Sequence, residues 1–174
     1  KFTLDGTDDY ISFPLPTVLN SNQYNSDFSI NIKFSIAATP ASSRVLFYQA
    51  SNYIRGLQLF VNTNRDLIGV ITENDVPTTS GKIISGGLTI GQTYNATITW
   101  DAATNTLKLY VDGTEITSTY GTNGLDGNSS GMRVGASINT RFLNADVYEL
   151  SIFDKQLSGS EVLLWINRLI YKPN

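Results

Sequence analysis

The sequence predicts an all-β protein: two antiparallel sheets packed face to face, closed by one short C-terminal helix. Three observations carry this. Apolar and polar residues alternate with a period of two in several segments, the pattern of strands with one dry and one wet face. Turn-forming residues separate those segments at close intervals. A helix-start signal occurs only near the end of the chain.

The alternation is clearest over residues 27–36, where Phe28, Ile30, Ile32, Phe34 and Ile36 share one parity. It recurs with Tyr94, Ala96, Ile98 and Trp100, and with Leu107, Leu109 and Val111. Further strands are expected near 2–4, 10–13, 43–50, 55–61, 66–72, 82–86, 115–120, 131–136 and 143–153. Asp112-Gly113 between two such runs is a two-residue hairpin signal; residues 101–105 and 62–65 read as short loops. By the same parity Trp100 belongs to the core, and Phe60, out of phase with Leu57, Leu59 and Val61, belongs to the opposite face of its strand. Near the C-terminus, Ser158 and Glu161 have capping-box spacing. Val162, Leu163, Ile166, Leu169 and Ile170 follow at helical spacing, so a helix over about 158–170 is expected to pack on the sandwich.

At 174 residues the chain suits a single domain over 1–174, burying roughly 70% of the surface its unfolded form exposes. It has no His and no Cys, which removes Ser-His-Asp and Cys-His triads, the usual zinc sites, haem, iron–sulfur clusters and disulfides. A net charge of −3 with 12 Lys and Arg argues against nucleic acid as a partner. No apolar run approaches the ~20 residues of a spanning helix, so no membrane insertion is expected. Lys1 is not a start Met and no signal peptide precedes it, so the chain reads as a mature fragment or a domain of something longer.

Four segments in order resemble the laminin-G-like members of the concanavalin A-like lectin/glucanase superfamily. They are residues 2–11 (FTLDGTDDYI), 27–34 (DFSINIKF), 97–113 (TITWDAATNTLKLYVDG) and 147–161 (VYELSIFDKQLSGSE). The resemblance implies a jelly roll whose first and last strands pair near the middle of one sheet. In the fourth segment this chain has Tyr148 where the family usually has Asp, and Ser151 where Arg is common. The superfamily's glucanases carry an E-x-D-x-x-E strand, and no such strand is present here. Asp146 and Glu149 are three apart, which places them on opposite faces unless a bulge intervenes.

Consecutive antiparallel strands reverse direction, so alternate loops share an end. Loops 14–26, 51–54, 73–81, 101–105 and 121–130 are expected on one rim. Loops 5–9, 37–42, 62–65, 87–92, 113–114 and 137–142 are expected on the other. The first rim has the longer loops and supplies the candidate ligand-binding residues Asn52, Tyr53, Asn74, Asp75, Asn123, Asp126 and Asn128. An aromatic ring beside amides and carboxylates suits a sugar, through its C–H face and its hydroxyl pairs. Asp75 and Asp126 are the candidate calcium ligands of that rim. On the other rim Asp5, Asp8 and Asp9 surround Gly6, a pattern that serves either calcium or a tight turn. Arg55, Phe60, Arg65, Asn139 and Arg141 are further surface candidates.

These readings favour a noncatalytic carbohydrate-binding, lectin-like module of an exported bacterial protein. Its expected partner is a cell-surface glycan or polysaccharide, with calcium as the one cofactor the residues suggest. The alternatives are a structural or host-recognition domain of a phage or virion protein, and a glycoside hydrolase. Each places the chain outside the cell, at a cell surface or on a virion, attached to other domains or repeated as a homo-oligomer.

Overall fold

Apolar side chains from the facing surfaces of two six-stranded antiparallel sheets meet to form the core. The computed structural model describes residues 1–14, 26–50, 56–72, 82–121, 131–137 and 140–168. Their elements are β1 (Phe2–Asp5), β2 (Ile11–Phe13), β3 (Phe28–Ile36), β4 (Arg44–Ala50), β5 (Gly56–Val61), β6 (Asp66–Thr72), β7 (Lys82–Gly87), β8 (Tyr94–Asp101), β9 (Thr106–Val111), β10 (Thr114–Gly121), β11 (Met132–Val134), β12 (Asn144–Phe153) and α1 (Gly159–Asn167). The first sheet runs β1-β12-β3-β8-β9-β10 and the second β2-β11-β4-β5-β6-β7. The two-sheet sandwich with a short C-terminal helix is therefore observed. One implied detail is corrected. The first and last strands do pair, Phe2 with Val147 and Leu4 with Ala145, but β1 is the edge strand of its sheet rather than a central one.

The register explains the alternation. Phe28, Ile30, Ile32 and Phe34 of β3 lie opposite Trp100, Ile98, Ala96 and Tyr94 of β8, and all eight are buried against the second sheet. The hairpin at 112–113 has positive φ at both residues, 49° and 82°, the geometry that follows the twist of the flanking strands. Asp101 Oδ1 accepts the amides of Ala103 at 2.9 Å and Thr104 at 3.0 Å, which closes the β8–β9 loop. Phe60 does face away from the core, as its phase requires, and packs on Val45 and Tyr48 outside the second sheet.

Polar residues on the outer face of the first sheet are not all wet. Ser29, Asn31, Thr97 and Thr99 are buried, and the chain after β12 turns back across this face at Ser29 and Tyr110. Ser29 Oγ donates to the Lys155 carbonyl and accepts the Leu157 amide, each at 2.9 Å. Leu157 and Val162 then bury against Tyr110, with Phe153 alongside. Burial raises the Tyr110 hydroxyl to about 12, and its hydrogen bond to Glu115 adds to the shift.

The helix begins where the capping box predicts. The Ser158 amide donates to Glu161 Oε2 at 2.8 Å, and the Glu161 amide donates back to Ser158 Oγ at 3.3 Å. Leu163 and Ile166 lie over Gly113, so the helix docks on the β9–β10 hairpin. Leu163 and Leu164 remain exposed, so only part of the apolar pattern is buried. The expected last turn, with Leu169 and Ile170, lies outside the described residues.

Two outcomes follow. Trp100 is wholly buried and stacks on Phe28 with ring centroids 6.5 Å apart. Trp100→Ala should cost about 3–5 kcal/mol in a denaturant titration, and an unchanged midpoint would contradict its core position. The second concerns Glu161, whose carboxyl is held at about 2 by the Lys155 ammonium first and then by the Ser158 amide and hydroxyl. A carboxyl depressed in the folded state stabilises above its unfolded value near 4.5, and that contribution is lost as pH falls toward 2. Trp165 fluorescence should report loosening of the helix across that acid window, and Glu161→Gln should flatten the response.

Candidate functional site

The connections β1–β2, β3–β4 and β11–β12 meet at one end of the sandwich and enclose a cleft of about 170 Å³. Its walls are Asp5 and Gly6 on one side, residues 38–41 and Arg44 on another, and Phe142 with Asn144 on the third. Backbone bonds fix these walls to the sheets. The Ala37 amide donates to the Asn144 carbonyl and the Val45 amide to the Arg141 carbonyl, both at 3.0 Å. The Leu143 amide donates to the Gly135 carbonyl at 2.8 Å.

Phe142, Arg44 and Asn144 supply an aromatic ring, a guanidinium and an amide to the lining. Phe142 contacts Tyr10 with ring centroids 6.5 Å apart, and Tyr10 as a residue is 43% exposed. The Arg133 guanidinium lies 4.8 Å from the centre of the same ring and donates to the Ser137 carbonyl at 3.1 Å. Arg44, half-buried at the start of β4, forms no ion pair with any described residue. Asn144 offers an amide at the cleft edge.

The acidic loop beside the cleft is accounted for by turn chemistry. Asp5 Oδ1 accepts the amides of Thr7 at 2.7 Å and Asp8 at 3.4 Å, while Asp9 Oδ2 accepts the Asp5 amide at 3.1 Å. The Thr7 amide is the main reason the Asp5 carboxyl sits below its ordinary range. Carboxylate oxygens of Asp5, Asp8 and Asp9 come within 4.8 Å of one another. That is close enough to share a cation, but their observed work is to fold the loop.

Every residue of the candidate set on the other rim, Asn52, Tyr53, Asn74, Asp75, Asn123, Asp126 and Asn128, lies outside the described residues, as do Arg55 and Asn139. What the register gives is their flanks. Ala50, Gly56, Thr72, Lys82 and Met132 fall along one end of the second sheet. At the matching end of the first sheet, Ser26, Asp27, Ala102, Ala103, Asp154 and Lys155 line a broad, shallow depression. Arg65 and Arg141 both sit at positive φ, 66° and 59°, and serve their turns through the backbone.

Asp146 and Glu149 require a correction to the simple parity reading. A bulge at Tyr148 separates the pairs Val147–Phe34 and Glu149–Lys33. Asp146 lies opposite Ser35 and Glu149 opposite Lys33, so both carboxylates face outward on one surface. Asp146 accepts from Lys1 Nζ at 2.8 Å and Thr3 Oγ1 at 2.7 Å, and Lys1 is the main cause of its lowered pKa. Glu149 accepts from Ser151 Oγ at 3.0 Å and from the Arg168 guanidinium.

A laminin-G family model described as the concanavalin A-like lectin/glucanases superfamily matches residues 5–163. The chain belongs to that superfamily. Among solved structures, this superfamily member is similar to a Trypanosoma rangeli sialidase in complex with sialic acid, with a TM-score of 0.69 and 17% identity, over 97% of this chain and 28% of the sialidase. It is also similar to a point mutant of a protein termed HCR/D, with a TM-score of 0.75 and 16% identity, over 97% of this chain and 42% of the other. The chain thus spans well under half of each, and at this identity the likeness is one of fold. No curated protein sequence matches the chain significantly.

Tyr10, Arg44, Phe142 and Asn144 were not singled out by sequence. Phe142 ends the expected loop 137–142, and the other three stand at the starts of the expected strands 10–13, 43–50 and 143–153, beside a rim whose shorter loops offer fewer candidate residues. The usable signal was the grouping of Tyr10 with the opening motif and of Arg141-Phe142 with the last connection.

Gly135 underpins this rim. Its φ is +92°, and a Cβ there would collide with Leu4 Cδ1. Gly135→Ala should destabilise the protein by about 1–3 kcal/mol in thermal or denaturant unfolding, whereas Gly91→Ala, open to solvent though also at positive φ, should cost less.

Proposed function

We propose that this chain is a noncatalytic carbohydrate-binding module acting within a longer exported bacterial protein. The observation that carries the reading is the rim cleft itself, where Phe142, Arg44, Asn144 and Asp5 share the lining and Tyr10 adjoins Phe142. Sugar rings are recognised by aromatic faces together with planar groups that bond adjacent hydroxyls. At about 170 Å³ the cleft is smaller than the roughly 300–1,000 Å³ pockets of drug-sized ligands, a scale that suits one ring. Superfamily membership supports a glycan as the kind of partner. The carboxylates support binding over hydrolysis. A general acid needs a raised pKa, whereas Asp5 and Asp146 are both held low by their donors.

The test is a glycan array, followed by titration of the saccharides that bind. Arg44→Ala and Phe142→Ala should each weaken binding by about tenfold or more while leaving the melting temperature within a few degrees. EDTA should not change binding at this cleft, because the reading assigns recognition to Phe142, Arg44 and Asn144, while one oxygen each of Asp5 and Asp9 holds a backbone amide of the loop. Undiminished binding in both variants would remove the cleft from the reading. Release of reducing sugar by the parent would replace binding with hydrolysis.

A further inference from the structure

The rim cleft does not end at Asn144. Along β12, Asn144 and Asp146 point outward together, and the bulge then turns Tyr148 and Glu149 to the same side. From Asn144 to Glu149 the strand advances about 13–16 Å at ~3.3 Å per residue, so a strip of outward groups leads from the cleft across the first sheet. Tyr148 stands in the middle of it, 40% exposed. Its hydroxyl lies 3.4 Å from Ser35 Oγ on the same outer face, a contact that orients the ring over the strip.

The strip's charges are largely settled within it. Lys1 closes on Asp146 at the near end and Arg168 on Glu149 at the far end. Lys33, beside Glu149 and Asn95 in the register, forms no ion pair with any described residue and is left as a hydrogen-bond donor. One exposed aromatic ring among paired charges is not an apolar patch of the kind that docks a protein. Matched charges likewise give no field to attract a strongly charged polymer. A ring face flanked by donors and acceptors is complementary to a neutral sugar.

We infer that the protein binds a linear, neutral oligosaccharide along this strip, with one sugar in the rim cleft and a later sugar stacked on Tyr148. The inference rests on the cleft being a sugar site and adds the chain length and direction of the ligand. The bulge is the device that makes it possible. In a regular strand Tyr148 would take the outward position and send Glu149 inward, and the end of the track would be lost.

The experiment compares di- and hexasaccharides of the α- and β-linked glucose, mannose and xylose series on the intact chain. In the parent the hexasaccharide should bind at least about tenfold more tightly than its disaccharide. Tyr148→Ala should abolish that gain and leave disaccharide affinity within about twofold, while Tyr148→Phe, which keeps the ring, should retain most of it. Amide NMR shifts on adding hexasaccharide should spread over 5–10, 38–44 and 142–149 and reach Lys33. Lys33→Ala gives a second variant, expected to weaken only the longer ligand. A hexasaccharide bound equally by parent and Tyr148→Ala, with shifts confined to the cleft, overturns the track and leaves the cleft reading standing. Disaccharide binding unaffected by Arg44→Ala overturns the cleft reading and the track with it. Failure of every saccharide to bind overturns both.

Discussion

The structure depends on one constraint: the apolar parity of β3 and β8 must face the second sheet along their whole paired length. With Phe28, Ile30, Ile32 and Phe34 fixed inward against Trp100, Ile98, Ala96 and Tyr94, every neighbour in the first sheet inherits its facing from the register. A slip of one residue would turn five large apolar groups of β3 to the outside. At about 1.5–3 kcal/mol for each fully buried apolar side chain, no alternative pairing competes. The outer face is therefore a consequence of the inner one, and function has to be built from what the core leaves outside.

The same constraint explains the bulge in β12. Ala145, Val147, Leu150 and Ile152 are the residues that contact the core, and the spacing between the second and third is three instead of two. Both can face inward only if one extra residue is inserted between them, and Tyr148 is that residue. The irregularity was thus written in the sequence as a break in period. Counting parity from Asp146 alone hides it, because the count assumes the regular strand that the apolar residues exclude. β4 repeats the lesson. Leu46 and Phe47 are consecutive yet both belong to the main core, while Val45 and Tyr48 flank them on the outside, again across a register shift.

Other features were less legible, for a different reason. Alternation says which residues avoid the core, not what covers them. Ser29, Asn31, Thr97 and Thr99 have the pattern of a wet face, yet they are buried, and the strap after Phe153 crosses this face at Ser29. They are satisfied unevenly. Asn31 donates to Thr97 Oγ1 at 2.7 Å and Ser29 serves the strap, whereas Thr99 Oγ1 and Trp165 Nε1 are buried with no hydrogen-bond partner among the described residues. The capping box located the helix to the residue because its signal is local. Which turns of the helix bury depends on the β9–β10 hairpin, about fifty residues away in sequence, and no local pattern carries that. The candidate site suffers the same limit. Asp5 and Asn144 are neighbours only through the pairing of the first strand with the last.

The shifted carboxylates among the described residues share one electrostatic character. Asp5 is lowered by the Thr7 amide, Asp101 by the Thr104 amide, Asp146 by the Lys1 ammonium and Glu161 by the Lys155 ammonium. In each case the carboxylate anchors a loop, a strand edge or a helix start, and the donors that anchor it favour its charged form. Glycoside hydrolysis asks for the opposite, a carboxyl kept protonated near neutral pH by burial or by a like charge. The described residues instead offer charges largely matched by their neighbours, a cleft with one guanidinium left over, and an exposed tyrosine whose hydroxyl lies against Ser35. Such a surface has little left to reorganise when a ligand arrives. Under the proposed reading, affinity comes from preorganised stacking and hydrogen bonds.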